Sequence, residues 1–274
     1  MSIHYCHGFK EIAPQYQTYI FDIWGVIHNG AQLFPGVHET LTMLKEHKKR
    51  VCFLSNSPRA GSHHEGFFAA LGITRDLYDF IYTSGDGLFT AIENSVHATL
   101  NDPFFFMGDE MLHKPVWESL PGERVPLLEE ARYILCTGPM EGSQRILQEA
   151  LSLNLPLVCS NPDRFSIEGN TKTLCAGSIA ESYEKMGGTV IYCGKPEPFI
   201  YQSIFRKLGD PELKSLIAVG DGLFTDIKGA NGVGLDSVFI HGGLHSDDVS
   251  FEGLDDWFGA EGIRPQYVMP GVMW

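Results

Sequence analysis

Two aspartates, Asp221 and Asp226 in the run GDGLFTDI, stand beside a glycine turn. Hard oxygen ligands of this kind suit magnesium, which takes one or two protein carboxylates and leaves room for a substrate phosphate. Far upstream, Asp22 closes the apolar run of YIFDIWGVIHNG and can serve as nucleophile, metal ligand or turn cap. Ser55 in FLSNSP offers a hydroxyl, next to Asn56 and to backbone N–H groups able to cradle a phosphate. Lys195 in CGKPEP stands just before a helical pattern with prolines in its first turn. It can balance a phosphate and several aspartates. Each of these residues alone also has a plain role as cap, turn or surface residue.

The elements that must position them are short apolar runs alternating with helical patterns. Residues 19–24, 50–55, 215–220 and 236–241 read as buried strands, and 36–49 and 198–209 as helices. Such alternation implies a mostly parallel sheet covered on both faces, with ligands beyond the carboxyl ends of its strands. Asp22, Ser55 and Asp221 all fall at such ends. Runs at 104–108, 131–138 and 156–163 repeat the pattern and predict a second α/β unit inserted into the first. Residues 1–83 and 191–274 then form one domain and 84–190 another, with short hinges near 82–86 and 192–196. The hexapeptide GDGLFT occurs at 85–90 and 220–225. A shared strand-to-helix turn explains it better than shared chemistry, since only the second copy carries the extra carboxylate, Asp226.

The chain has 274 residues, 43% of them hydrophobic and 20% charged, enough for a sizeable core. Its formal charge of −14 argues against nucleic acid as a partner. The N-terminus has no apolar signal core, and no apolar window reaches the length of a membrane span. Six scattered cysteines without a Cys-x-x-Cys pair read as reduced thiols. Together these features predict a cytoplasmic protein without a membrane partner. A homodimer is one expectation for its assembly, and the aromatic tail after residue 254 is expected to close the core.

In their order along the chain, Asp22, Ser55, Lys195 in GKP, and Asp221 with Asp226 in GDGLFTDI resemble the haloacid dehalogenase superfamily. SNPDRF (160–165) and CAGSIAESYEKMGG (175–188), followed by GKP, resemble the α/β cap of its subfamily IIA. That group includes p-nitrophenyl-phosphatase-like and sugar- or nucleotide-phosphate phosphatases. The resemblance implies a Rossmann-like parallel-sheet core with an inserted α/β cap domain. It implies hydrolysis of a small phosphorylated metabolite through an aspartyl-phosphate on Asp22. Mg²⁺ would be held by Asp22, Asp221, Asp226 and the main-chain carbonyl of Trp24. Ser55 and Lys195 would hold the phosphoryl oxygens, with Asn56 beside them. Asn161, Asp163 and the loop Ala176–Ser178, with Gly177 and Ser178, would face the substrate from the cap. Each of these cap positions serves equally well as a turn or a helix start.

One position departs from the family. Its phosphatases carry a second aspartate where this chain has Trp24, and that carboxylate protonates the leaving alcohol and then activates water. Indole has a weak donor and no basic site at neutral pH. A positioned acid–base group contributes about 10²–10⁴-fold in rate. His28, four residues on, is a candidate substitute, although a histidine in a polar turn is more often a turn residue. Otherwise the enzyme is limited to good leaving groups such as aryl or acyl phosphates, or the protein binds a phosphometabolite without turning it over.

Overall fold

A computed structural model describes residues 3–168, 171–243 and 249–274. The chain opens with an edge strand, β1 (His4–Tyr5), then lays down β2 (Thr18–Phe21), β3 (Arg50–Ser55) and β4 (Phe80–Thr83). It crosses to a second sheet for β5 (Phe104–Met107), β6 (Arg124–Val125), β7 (Tyr133–Cys136) and β8 (Leu157–Cys159). A hairpin, β9 (Phe165–Glu168) and β10 (Thr171–Leu174), precedes the second sheet's return strand, β11 (Val190–Tyr192). The chain then rejoins the first sheet through β12 (Leu216–Gly220), β13 (Asp236–Ile240) and β14 (Tyr267–Met269).

The strand orders are β1-β14-β13-β12-β2-β3-β4 and β11-β8-β7-β5-β6, all pairs within them parallel. All four residues of β2 are buried, as are all five of β12. Strands buried on both faces explain why these runs lack alternation in sequence. The helix Pro198–Leu208 opens on proline and stops where Gly209 turns left-handed at φ 83°. The proposed inserted unit, 84–190, begins where β4 ends, and its second bound falls at the first residue of β11. Among the described residues no helix is long and apolar enough to cross a membrane. The tail packs on its own core: Phe258 and Val268 are buried and Trp274 lies against the main apolar cluster.

The expected strand at 19–24 is shorter than its apolar run. Asp22 still donates its N–H to the Val219 carbonyl at 2.7 Å, but Gly25 at φ 80° turns the chain back so that Trp24 bridges His28. The two GDGLFT copies also differ. The first lies inside the helix Ser84–Glu93, and the second follows β12 into a π-helical turn, Leu223–Ile227.

Candidate active site

The placement of the acidic groups follows from strand order. β12, β2 and β3 are neighbours, with Val219 opposite Phe21 and Phe21 opposite Phe53. Parallel strands lie about 4.8 Å apart, so the residues at or just past their ends, Asp221, Asp22 and Ser55, emerge side by side. The π-helical turn then brings Asp226 back over β12. A Cβ at Gly220 would collide with Asp226, and one at Gly25 with the Asp221 carboxylate. Glycine at both positions lets the backbone close around the acids.

Asp22, Asp221 and Asp226 are all buried and place one carboxylate oxygen each within 4.8 Å of the others. Lys195, 2% exposed, reaches across them. Its Nζ donates to Asp22 Oδ1 at 2.5 Å, Asp226 Oδ1 at 2.7 Å and the Leu54 carbonyl at 3.0 Å. Burial alone would lower this ammonium's pKa, but the facing Asp22 and Asp226 carboxylates outweigh it and hold the group protonated. Burial raises the Asp22 pKa. Lys195 opposes that shift, and Asp226, Asp221 and Asp163 add to it. Three carboxylates thus face one ammonium, and the excess of negative charge together with the all-oxygen donor set fits a hard divalent cation.

The three carboxylates, with Lys195 buried behind them, form the floor of a cavity of about 780 Å³ between the two sheets, with Ser55, Asn161 and Asp163 in its wall. The Ser55 hydroxyl accepts the Ser57 N–H at 3.2 Å. Asn56 is not part of this wall. It is buried and cross-links three segments: Oδ1 accepts the Lys195 N–H at 2.8 Å, and Nδ2 donates to Asp163 Oδ1 at 2.8 Å and to the Lys195 carbonyl at 3.2 Å. Gly177 lies behind the wall as well. Its N–H donates to the Asp163 carbonyl at 3.1 Å, and Ser178 Oγ donates to the Cys175 carbonyl at 2.7 Å, within the start of the helix Ala176–Lys185.

Trp24 is half-buried and lines the cavity beside Asp22. His28 meets it edge to face at 4.8 Å and meets Phe67 at 5.0 Å. The His28 ring is 1% exposed and lies outside the cavity wall. Its Nδ1 accepts the Gly30 N–H at 3.0 Å, and its Nε2 is buried without a hydrogen-bond partner among the described residues. Burial pushes its pKa down to about 4, so the imidazole is neutral at physiological pH.

Asp86 of the first GDGLFT copy is a cap. It accepts N–H groups of Thr83 and Gly61, at 2.9 and 3.0 Å, at the start of its helix. The cavity also draws in residues that sequence reasoning did not single out: Arg59 from the loop after β3, His113 after β5, and Phe165 and Lys172 from the hairpin. They come together only through tertiary folding, and no local pattern marks them.

Comparisons with known proteins agree with this arrangement. Residues 19–118 match the family described as haloacid dehalogenase-like hydrolase, and residues 192–272 match one described as HAD-hydrolase-like. Chronophin of Rattus norvegicus is 26% identical over 253 residues, covering 86% of this chain and 80% of that protein. A haloacid dehalogenase-like hydrolase from Brucella suis 1330 has a similar structure at TM-score 0.85 and 26% identity, covering 98% and 100% of the two chains. The 4-nitrophenylphosphatase of Thermotoga maritima gives a TM-score of 0.72 at 25% identity, with 95% and 96% covered. Matched on both sides of its middle segment and over nearly its whole length in fold, the chain belongs to the haloacid dehalogenase-like hydrolases.

Proposed function

We propose that the chain is a Mg²⁺-dependent phosphohydrolase acting on a small phosphorylated metabolite, with weakened acid–base catalysis. The observation that carries this reading is Lys195 Nζ bridging Asp22 and Asp226 beside Asp221 on the floor of a cavity walled by Ser55. An Asp22 carboxylate oxygen attacks phosphorus, the bond to the leaving oxygen breaks, and an aspartyl-phosphate forms on Asp22. Water then attacks that phosphorus and releases inorganic phosphate and free Asp22. Ser55 and Lys195 hold the phosphoryl oxygens. Asp22, Asp221, Asp226 and the Trp24 carbonyl would hold Mg²⁺, which when bound neutralises charge on the transferring group. Asn161 and Asp163 contribute to the wall that meets the remainder of the substrate.

The position of His28 argues against its serving as the substitute acid. Its Nδ1 is already an acceptor, its ring lies among aromatic side chains, and it is outside the wall. With Trp24 beside Asp22, proton delivery to a poor leaving group is left to water. Aryl and acyl phosphates are therefore the favoured substrates, in line with the name of the Thermotoga relative. The same observation supports a second reading, a protein that binds a phosphometabolite and Mg²⁺ with little turnover.

Phosphate release from aryl, acyl and alkyl phosphates, with and without Mg²⁺, separates the two. Release that needs both the metal and Asp22 is expected. Silence across the panel, with phosphate ligands still bound, would leave the binding protein.

A further inference from the structure

Behind the floor of the cavity, Lys195 is already matched to carboxylates. The cavity's upper wall is less well served. Arg59 lines the cavity, yet among the described residues its guanidinium has no ion pair and no hydrogen-bond acceptor. In a chain with 34 acidic and 20 basic side chains, a half-buried, cavity-lining arginine without a carboxylate partner among the described residues stands out. Its backbone is fixed on both sides: the Arg59 carbonyl accepts Thr83 Oγ1 at 2.8 Å, and its N–H donates to Ser57 Oγ at 3.3 Å. Only the guanidinium fork is unspent.

His113, on the loop that leaves the second sheet after β5, also lines the cavity. Its Nδ1 is buried without a partner among the described residues, an arrangement that costs free energy until an acceptor or donor arrives. Burial, helped by the nearby Arg59 charge and opposed by the Asp109 carboxylate, lowers this imidazole's pKa. The Arg59 charge thus acts on His113, and both residues line the same cavity. Lys172, from the hairpin, holds its Nζ 4.3 Å from the centre of the Phe165 ring, and both line the same space. The upper-wall carboxylate, Asp109, is engaged locally, accepting the N–H groups of Met111 and Leu112 at 2.9 and 2.7 Å.

We infer that Arg59 and His113, with Lys172 opposite, form an anion subsite that reads a second negative charge, so the substrate is a phosphomonoester whose leaving group itself carries a carboxylate or a phosphate. This rests on the phosphohydrolase reading of the floor. An anion between the two side chains satisfies the guanidinium, gives the His113 Nδ1–H an acceptor, and draws that imidazole toward its charged form. Trp24, Phe34 and Phe165 add aromatic surface to the lining of the same cavity.

The test uses matched aryl esters, so that leaving-group ability is held nearly constant. 4-Carboxyphenyl phosphate is compared with its neutral twin, 4-carbamoylphenyl phosphate, and 1,4-phenylene bisphosphate reports whether phosphate replaces carboxylate. Wild type should prefer the charged esters by about tenfold or more in kcat/KM, carried mostly by KM, since hydrogen bonds to charged groups are the stronger class. The preference should shrink as ionic strength rises. It should fall close to one in Arg59→Met and be reduced in His113→Gln, which changes a different loop and so guards against a fold-specific failure of the first variant. Equal use of the twins by wild type overturns the subsite. So does an equal loss on both twins in Arg59→Met, which would place Arg59 on the transferred phosphoryl group or in a purely structural role. Calorimetric binding of the same esters to Asp22→Asn separates the two hypotheses. If wild type releases no phosphate while the variant still discriminates between the twins, the subsite stands and the phosphohydrolase reading fails.

Discussion

Replacing Asp22 with Asn should abolish phosphate release and at the same time make the metal-free protein more stable. The expectation follows from the charges on the cavity floor. At an effective dielectric of about 20, unit charges 4.8 Å apart repel by about 3.5 kcal/mol. Asp22 has two such neighbours, Asp221 and Asp226, for at least about 7 kcal/mol of repulsion. The attraction of Lys195 at 2.5 Å is about 6.6 kcal/mol on the same scale. The Coulomb contributions nearly cancel, so the cost of stripping water from a buried carboxylate decides the sign. Asn keeps an oxygen for the Lys195 hydrogen bond and removes that cost. A modest gain is expected, because Lys195 keeps Asp226 as its partner and is not left as the uncompensated charge that makes breaking a buried pair costly. Thermal melting in a chelator should then rise by about 2–4 °C per kcal/mol. Added Mg²⁺ should raise the melting temperature of wild type more than that of the variant, because a ligand stabilises in proportion to its affinity for the folded state. A variant that melts below wild type in chelator would refute this balance and show the Lys195–Asp22 pair to be net stabilising.

Trp24→Asp should raise the alkyl-to-aryl ratio of kcat/KM at least tenfold, towards the range of about 10²–10⁴ that acid–base groups supply; an unchanged ratio in a folded variant would mean that Trp24 is not the limiting defect. Two buried imidazoles, His28 and His64, are both held at about 4, below the unfolded value near 6.5. As pH drops from about 6.5 to 4 the unfolded chain takes up protons first, so stability is full above 6.5 and declines below it, by up to about 2.7 kcal/mol per pH unit. Urea midpoints across this window should fall in wild type and flatten in His28→Gln/His64→Gln, and a flat wild-type profile would contradict the burial argument. Asp86→Ala should cost about 1–2 kcal/mol as a lost cap and leave the Mg²⁺-induced melting shift intact, whereas Asp226→Ala should remove that shift. Equal effects of the two on Mg²⁺ binding would undo the distinction between the GDGLFT copies.

Much of the scaffold is legible in the sequence because it is local. The run RVCFLS forms β3 at its expected bounds, Arg50–Ser55, since continuous apolar residues ending in a polar turn leave little choice. Asp22, Ser55 and Asp221 can be grouped from the pattern of runs alone, because a parallel sheet gathers its strand ends. The hairpin Phe165–Glu168 and Thr171–Leu174 carries no such signal: RFSIEGNTKTL mixes polar and apolar residues without a strong period. Arg59 and His113 escape a sequence reading for another reason. The role proposed for them rests on side-chain polar atoms without a partner among the described residues, and that is visible only in three dimensions. His28 illustrates the converse. Its distance from Trp24 along the chain suggests chemistry, while its burial among aromatic rings depends on Phe67, a residue of a later helix.

Asn56 carries a consequence for how such a protein can diversify. One carboxamide fixes the backbone of Lys195 and the side chain of Asp163, so the residue proposed to hold the transferred group and the loop proposed to face the rest of the substrate share a common address. Among the described residues, the intervening sequence from β4 to Asp163 adds one further hydrogen bond to this carboxamide, from Ser84, whose Oγ lies 3.4 Å from Asn56 Oδ1. Lengthening or recombining the sequence beyond Ser84 would therefore leave the reaction centre in register, provided the returning loop still presents a carboxylate to Asn56. Substrate range becomes an exchangeable part and the phosphoryl chemistry a fixed mount, with a single amide as the coupling between them.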